Sequence, residues 1–253
     1  MYANDEMCLS LKIFLGHVDA LKDYCDYIII PRIDNYRKEN QTCTNFLALY
    51  DIVSNLFSVP LLHYNIDLEK GENEEDGLIK IGKSLGKKEK ECRRAYFYAK
   101  EEEKKEKRKR IINNKLALQS KKNKVLIVAH SYNLYDSLIG KNIIQKLTKL
   151  DIEIIYSDRF DAFLSRKSSS KISEELYWKE SKEQIGSIEL VKDKIQGVIF
   201  LTSFPCATDS LVNELAIRKI KIPYLHLVID DLDADAGIDT RIESFIDILE
   251  IKV

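Results

Sequence analysis

The chain has 253 residues, enough to bury one large hydrophobic core or two modest ones. Hydrophobic residues make up 45% and charged residues 32%, the profile of an ordinary soluble globular protein. With 40 Lys and Arg against 41 Asp and Glu, global charge directs the chain to neither nucleic acid nor a membrane surface.

The N-terminal part reads as αβ units. "MCLSLKIFLGHVDALKD" has helical periodicity, "YCDYIIIPRI" is a strand, "TNFLALYDIVSNLF" a helix and "VPLLHYNID" a second strand. Two strands make a poor independent sheet. The expectation is that another chain completes the sheet, or that the product is shortened at its start. Next comes "KKEKECRRAYFYAKEEEKKEKRKR", residues 87 to 110, with twelve basic and six acidic residues. Interleaved aromatics raise a nucleic-acid contact as one reading. Acidic residues spread through the segment would repel phosphate, so a solvated helix laced with i,i+4 ion pairs is favoured.

In the C-terminal half the alternation is regular. "KVLIVAHS" is a strand, "DSLIGKNIIQKLTKL" an amphipathic helix, "DIEIIYS" a strand and the Ser-rich "LSRKSSSK" a loop. "ISEELYWKESKEQIGSIELVK" reads as helix, "GVIFLTS" as strand, "LVNELAIRKI" as helix, "IPYLHLVID" as strand and "IDTRIESFIDILEI" as helix. Such alternation predicts an α/β fold with mostly parallel sheets. The expected division is an N-terminal α/β domain over 1–86, a charged helical connector over 87–122 and a C-terminal α/β domain over 123–253. No apolar run approaches the ~20 residues that span a bilayer. The first residues lack a signal-peptide pattern, so a cytoplasmic location is expected.

Five cysteines, Cys8, Cys25, Cys43, Cys92 and Cys206, are an odd number for a disulfide framework, and no two form a CxxC. In a reducing compartment such thiols are structural, catalytic or metal-binding. Cys206, in "LTSFPCATDS", falls between a strand and a helix, at the sheet edge where α/β proteins gather ligands. A helix N-terminus beside it favours thiolate over thiol.

Seven blocks occur in order: "CLSLKIFLGHVDAL", "YIIIPRI", "CTNF", "HSYNLYD", "YWKES", "GVIFLTSFPCATDSLVNEL" and "IPYLHLVIDD…AGIDTRIESFIDIL". Together, from Glu6 to Glu250, they resemble the acyl-CoA dehydratase activase-related proteins, kin of the 2-hydroxyacyl-CoA dehydratase iron–sulfur subunits. The resemblance implies two Rossmann-like or flavodoxin-like domains that hold an iron–sulfur cluster, [4Fe-4S] or larger, through three cysteines. Matched motif by motif, those metal ligands fall on Cys8, Cys43 and Cys206. Ser10 and Thr44 stand where the first two motifs have proline. The resemblance also implies low-potential electrons supplied by a separate ATP-dependent activator protein, an acyl-CoA or other small-molecule substrate, and a homodimer or complementing chain. Members of the group usually begin with a strand–helix segment that is missing here.

Two histidines join the expected cofactor-binding set. His17 follows Gly16 in the first block, with helix packing as the alternative; His130 ends the "KVLIVA" strand, where "HSYNLYD" lines the same edge. Cys25 is expected to be a small core residue and Cys92 to lie in the connector, while His63 and His226 read as core groups within strands. The acidic "DDLDADAGIDTR" lacks the EF-hand pattern, and there Arg241 reads as a structural partner of Glu243 or an acidic neighbour. There is no P-loop, GxGxxG or GxSxG, so ATP hydrolysis belongs elsewhere. The expected function is an iron–sulfur dehydratase or reductase component; the alternative is a cluster-free α/β binding or assembly subunit.

Overall fold

Parallel pairing of short apolar strands, with helices as crossovers, organises the α/β fold seen in a computed structural model describing residues 3–37, 40–230 and 235–251. The chain divides into two compact units.

The first comprises Met1–Met7, Leu11–Arg108 and Tyr177–Lys179. Its first helix, α1 (Leu9–Leu21), buries Leu11, Leu15 and Val18, spaced four and three residues apart as one helical face requires. Strands β1 (Ile28–Asn35) and β2 (Leu61–Asp67) pair in parallel, Ile28 opposite Leu61, across the crossover helix α2 (Thr44–Leu56). Leu49 and Val53 of α2 are buried with Ile30 and Ile66 of the strands. Both strands end in a polar tie: Asn35 Nδ2 donates to Asp67 Oδ1 at 2.7 Å. The Lys70 ammonium, hydrogen-bonded to Asp67, holds that carboxyl down at about 2. Helix α3 (Glu74–Ser84) is an element the sequence reading missed. Its signal is a cap: Asn73 accepts from the Asp76 N–H, and Glu74, Glu75 and Asp76 complement the helix dipole. The charged segment is helical from Glu89 onward, in the 29-residue α4 (Glu89–Ala117), with Lys104–Glu101, Lys105–Glu102 and Lys100–Glu74 ion pairs. Cys92 faces α3, where a Cβ on Gly82 would come within 2.5 Å of its sulfur. Cys25 is exposed rather than a core residue, because the turn that carries it lies outside both α1 and β1.

The second unit comprises Cys8–Ser10, Lys109–Leu176 and Glu180–Val253. Four parallel strands, β3 (Lys124–Val128), β4 (Glu153–Tyr156), β5 (Gly197–Ser203) and β6 (Tyr224–Ile229), lie in the order β4-β3-β5-β6. Every residue of β5 is buried, as a central strand covered on both faces demands. The helices are α5 (Ser131–Leu134), α6 (Gly140–Lys149), α7 (Ala162–Ser169), α8 (Lys179–Val191), α9 (Ala207–Ile217) and α10 (Asp235–Ile251). On α10, Ile242, Phe245, Ile246 and Leu249 are buried, and Phe245 lies over Gly197 of β5.

Three boundaries differ from the sequence reading. The helix expected from Asp136 begins at Gly140, because the Asp136 side chain accepts the Leu138 N–H and holds a turn there. The Ser-rich loop is the helix α7: Asp161 caps it through the Leu164 N–H, and Ser169 Oγ bonds back to the Arg166 carbonyl. The helix expected from Ile172 begins only at Lys179, because Tyr177–Lys179 pair in extended form with Gln41.

Gly186 of α8 sits against α7, where an added Cβ would lie 1.8 Å from the Ser165 carbonyl oxygen. Backbone cannot move aside as a side chain can. Gly186→Ala is therefore expected to destabilise the protein by ~3 kcal/mol, read as a fall in the denaturation midpoint. A loss below ~1 kcal/mol would show that α7 and α8 part freely.

Candidate functional site

From β3 the chain passes to β4 on one side, then crosses to β5 on the other. The carboxyl ends of β3 and β5 thus flank a topological switch point, the crevice where open α/β sheets receive ligands. Ala129, His130 and α5 follow β3; Phe204, Pro205 (after a cis peptide bond), Cys206 and α9 follow β5.

Cys206 is the N-cap of α9, and its Sγ accepts the Asp209 N–H at 3.5 Å. Cys8 arrives at the same edge because the Leu9 N–H donates to the Phe204 carbonyl at 2.8 Å. Both thiols are close enough to Tyr132 to raise its phenol pKa through their charge, behind the larger effects of burial and Asp209. Cys43 belongs to the first unit and is the N-cap of α2. All three cysteines singled out by the sequence therefore stand at helix starts: two as N-caps, and Cys8 immediately before Leu9. His17 is exposed on α1, in the first unit.

His130 carries the strongest electrostatics of the crevice. It is 7% exposed and held between two carboxylates, with Nδ1 2.9 Å from Glu180 and Nε2 2.8 Å from Asp209. Burial alone would lower its pKa, but the charge and hydrogen bond of Asp209, then those of Glu180, outweigh this and push it up to about 10. The imidazole is a cation at neutral pH, with both nitrogens donating. Tyr132 stacks on it, ring centroids 4.8 Å apart. Asp209 is itself only 4% exposed, so the imidazolium is the charge that balances it.

A second network lies beside the first. Ser203 Oγ donates to Asn133 Oδ1 at 2.7 Å, and Ser10 Oγ lies 2.7 Å from the same oxygen and 2.8 Å from Ser203 Oγ. Asn133 is fully buried, and its Nδ2 meets no acceptor among the described residues. That leaves one buried amide donor for a ligand.

The sequence pattern placed Cys206, His130, Tyr132 and Asn133 on this edge, the resemblance joined Cys8 and Cys43 to them, and both missed the carboxylates Asp209 and Glu180. The signal for Asp209 was its place three residues after Cys206, in the first turn of α9. Glu180 carried none, because its approach to His130 depends on the chain path between β4 and β5. Of the other readings, His63 is exposed against Tyr50, and His226 is half-buried beside Thr202 Oγ1. Arg241 donates to the His226 carbonyl, and Glu243 pairs with Lys146 instead. Residues 231 to 234 of the acidic loop lie outside the described residues. The five cysteines form no disulfide. Among the described residues, no three His, Cys, Asp or Glu side chains have metal-holding geometry, and no helix is long and apolar enough to cross a membrane.

A family model described as "CoA enzyme activase uncharacterised domain" matches residues 1–160. No curated protein and no solved structure matches the chain.

The His130 clamp makes stability depend on pH. A group whose pKa is raised by folding contributes fully below its unfolded value, near 6.5, and loses that contribution as pH rises through about 10. Stability is expected to fall across this window with a slope approaching ~1.4 kcal/mol per pH unit from this group. His130→Gln should lower stability at pH 7 and flatten the slope, measured by urea unfolding from pH 6 to 10. An equal slope in the variant would refute the clamp.

Proposed function

Because the chain belongs to the family described as CoA enzyme activase uncharacterised domain, we propose that it serves acyl-CoA dehydratase chemistry as an iron–sulfur component. Family membership makes it an acyl-CoA dehydratase activase-related protein. The observation that carries the finer reading is the convergence of Cys8 and Cys206, from opposite ends of the sequence, at one switch-point edge. Their donor chemistry fits, since thiolates suit an iron–sulfur cluster and two helix starts favour the anionic form. Cys43 is the third thiol that the resemblance implies.

When bound, such a cluster supplies low-potential electrons. The residues of the chain have three tasks around it. Cys8 and Cys206 hold it as thiolates, and the Asp209 N–H at Cys206 Sγ lowers electron density on that sulfur. The His130 imidazolium keeps the buried Asp209 charge from destabilising the neighbouring anions. Asn133 Nδ2 offers a hydrogen bond to a carbonyl or sulfide in the crevice. The partner on this reading is an ATP-dependent activator, since the chain has no P-loop to turn over nucleotide. The Ser10–Asn133–Ser203 network supports a second reading, a cluster-free module that binds a small polar molecule in the same crevice.

One measurement separates the two. Protein purified without oxygen is expected to carry iron and acid-labile sulfide, about four of each per chain for a single cubane. Cys8→Ser and Cys206→Ser should lose them, and Cys25→Ser should keep them. Metal-free protein after anaerobic reconstitution would sink the cluster and leave the binding module.

A further inference from the structure

A second cluster lies at the carboxyl end of β4, on the side of β3 away from the switch point. Tyr156 ends β4, and Asp158 and Arg159 follow in the turn toward α7. The Arg159 guanidinium stacks 3.7 Å from the centre of the Tyr156 ring and donates Nε–H to the Tyr135 hydroxyl at 3.1 Å. That hydroxyl donates in turn to Asp158 at 2.8 Å. Burial, then the Asp158 charge, raises the Tyr135 phenol to about 12, so it keeps its proton. Arg110 adds a second positive charge 5.8 Å from the Tyr135 ring.

The turn is built to stay in place. Asn114 of α4, 2% exposed, accepts the Tyr156 N–H at 3.0 Å and donates to the carbonyls of Tyr156 and Arg159 at 3.1 and 3.3 Å. The Ser157 N–H is tied to the Ile127 carbonyl at 3.1 Å. A half-buried arginine normally meets a carboxylate. Among the described residues Arg159 is in no ion pair, and only its Nε has an acceptor. Its two terminal nitrogens thus present four N–H donors in a fixed plane.

We propose that Arg159, fixed between Tyr156 and Tyr135, is the centre of an anion site that takes a phosphate group through its terminal nitrogens. The planar fork matches a phosphate's paired oxygens. The fork stands at the carboxyl end of a parallel strand, and the flanking tyrosines suit a flat ring attached to the phosphate. Asp158 opposes an anion, but its carboxylate is engaged by the Tyr135 hydroxyl. Two sources share this chemistry, free phosphate and a nucleotide. The site stands apart from the thiols, so it holds with or without a cluster.

The test is calorimetric titration of the whole chain with inorganic phosphate, ADP and adenosine at constant ionic strength. Wild type should bind a phosphate-bearing probe saturably, and Arg159→Gln should weaken it about tenfold or more. Arg159→Lys, which keeps the charge but loses the fork, should weaken it about threefold or more. ADP binding tighter than phosphate, with adenosine silent, identifies a nucleotide site; equal affinity for both identifies a free-anion site. No binding of either phosphate probe by wild type up to ~10 mM, or undiminished binding in the variants, overturns the proposal. Should Arg159→Gln unfold, the lysine variant decides, since its cation still covers Tyr156.

Discussion

Parallel pairing is the constraint on which the rest depends. Every ladder among the described strands is parallel, so each connection must cross over, and each pair of strands ends at one edge. Helices that follow those strands must then start at that edge, with N–H groups facing whatever gathers there. This is why Cys43 after β1 and Cys206 after β5 occupy the same local position in two separate units. Neither thiol needs a dedicated device, because a strand–turn–helix passage supplies the electropositive end.

Burial sets the second condition. The switch point lies beside β5, which is wholly covered, so a charge placed there loses most of its hydration. Asp209 would be costly alone, and His130 would be costly alone. Together with Glu180 they form an arrangement in which a buried imidazole binds its proton more tightly than in water. The outcome is a crevice in which one imidazolium is held by two carboxylates, beside a neutral hydroxyl–amide network. Such a setting favours a ligand that accepts the hydrogen bond of Asn133 Nδ2.

Local pattern was enough to read most of the fold. β5 is a run of seven apolar and hydroxyl residues before a cis-proline turn, and α9 follows with an acidic first turn. Failures occurred where a distant partner or a side-chain cap decided the outcome. Tyr177 and Trp178 look helical among "ISEELYWKES", yet Gln41, remote in sequence, holds them extended. Ser169 and Ser170 look like loop, yet their hydroxyls bond to carbonyls of α7. The site was half legible for the same reason. His130 and Cys206 mark strand ends and can be placed from pattern alone, whereas Glu180 meets His130 across 50 residues of chain.

Ser10 and Thr44, where the resemblance implies proline, take on a physical meaning once the helices are in place. Thr44 is the first residue of α2, after its N-cap Cys43, and Ser10 is the second residue of α1. Proline suits the first turn because its fixed φ is already helical and the N–H it lacks would have no partner there. A motif with cysteine before such a proline is therefore a means of starting a helix at a thiol. Serine and threonine keep that start without the ring, since both helices form with the cysteines at their heads. Losing a ring raises the entropy of the unfolded chain by roughly 0.4–1 kcal/mol. Ser10 returns a comparable amount, about 1 kcal/mol, through its half-buried hydroxyl bonds to Asn133 and Ser203. Those contacts draw the start of α1 into the network of the crevice.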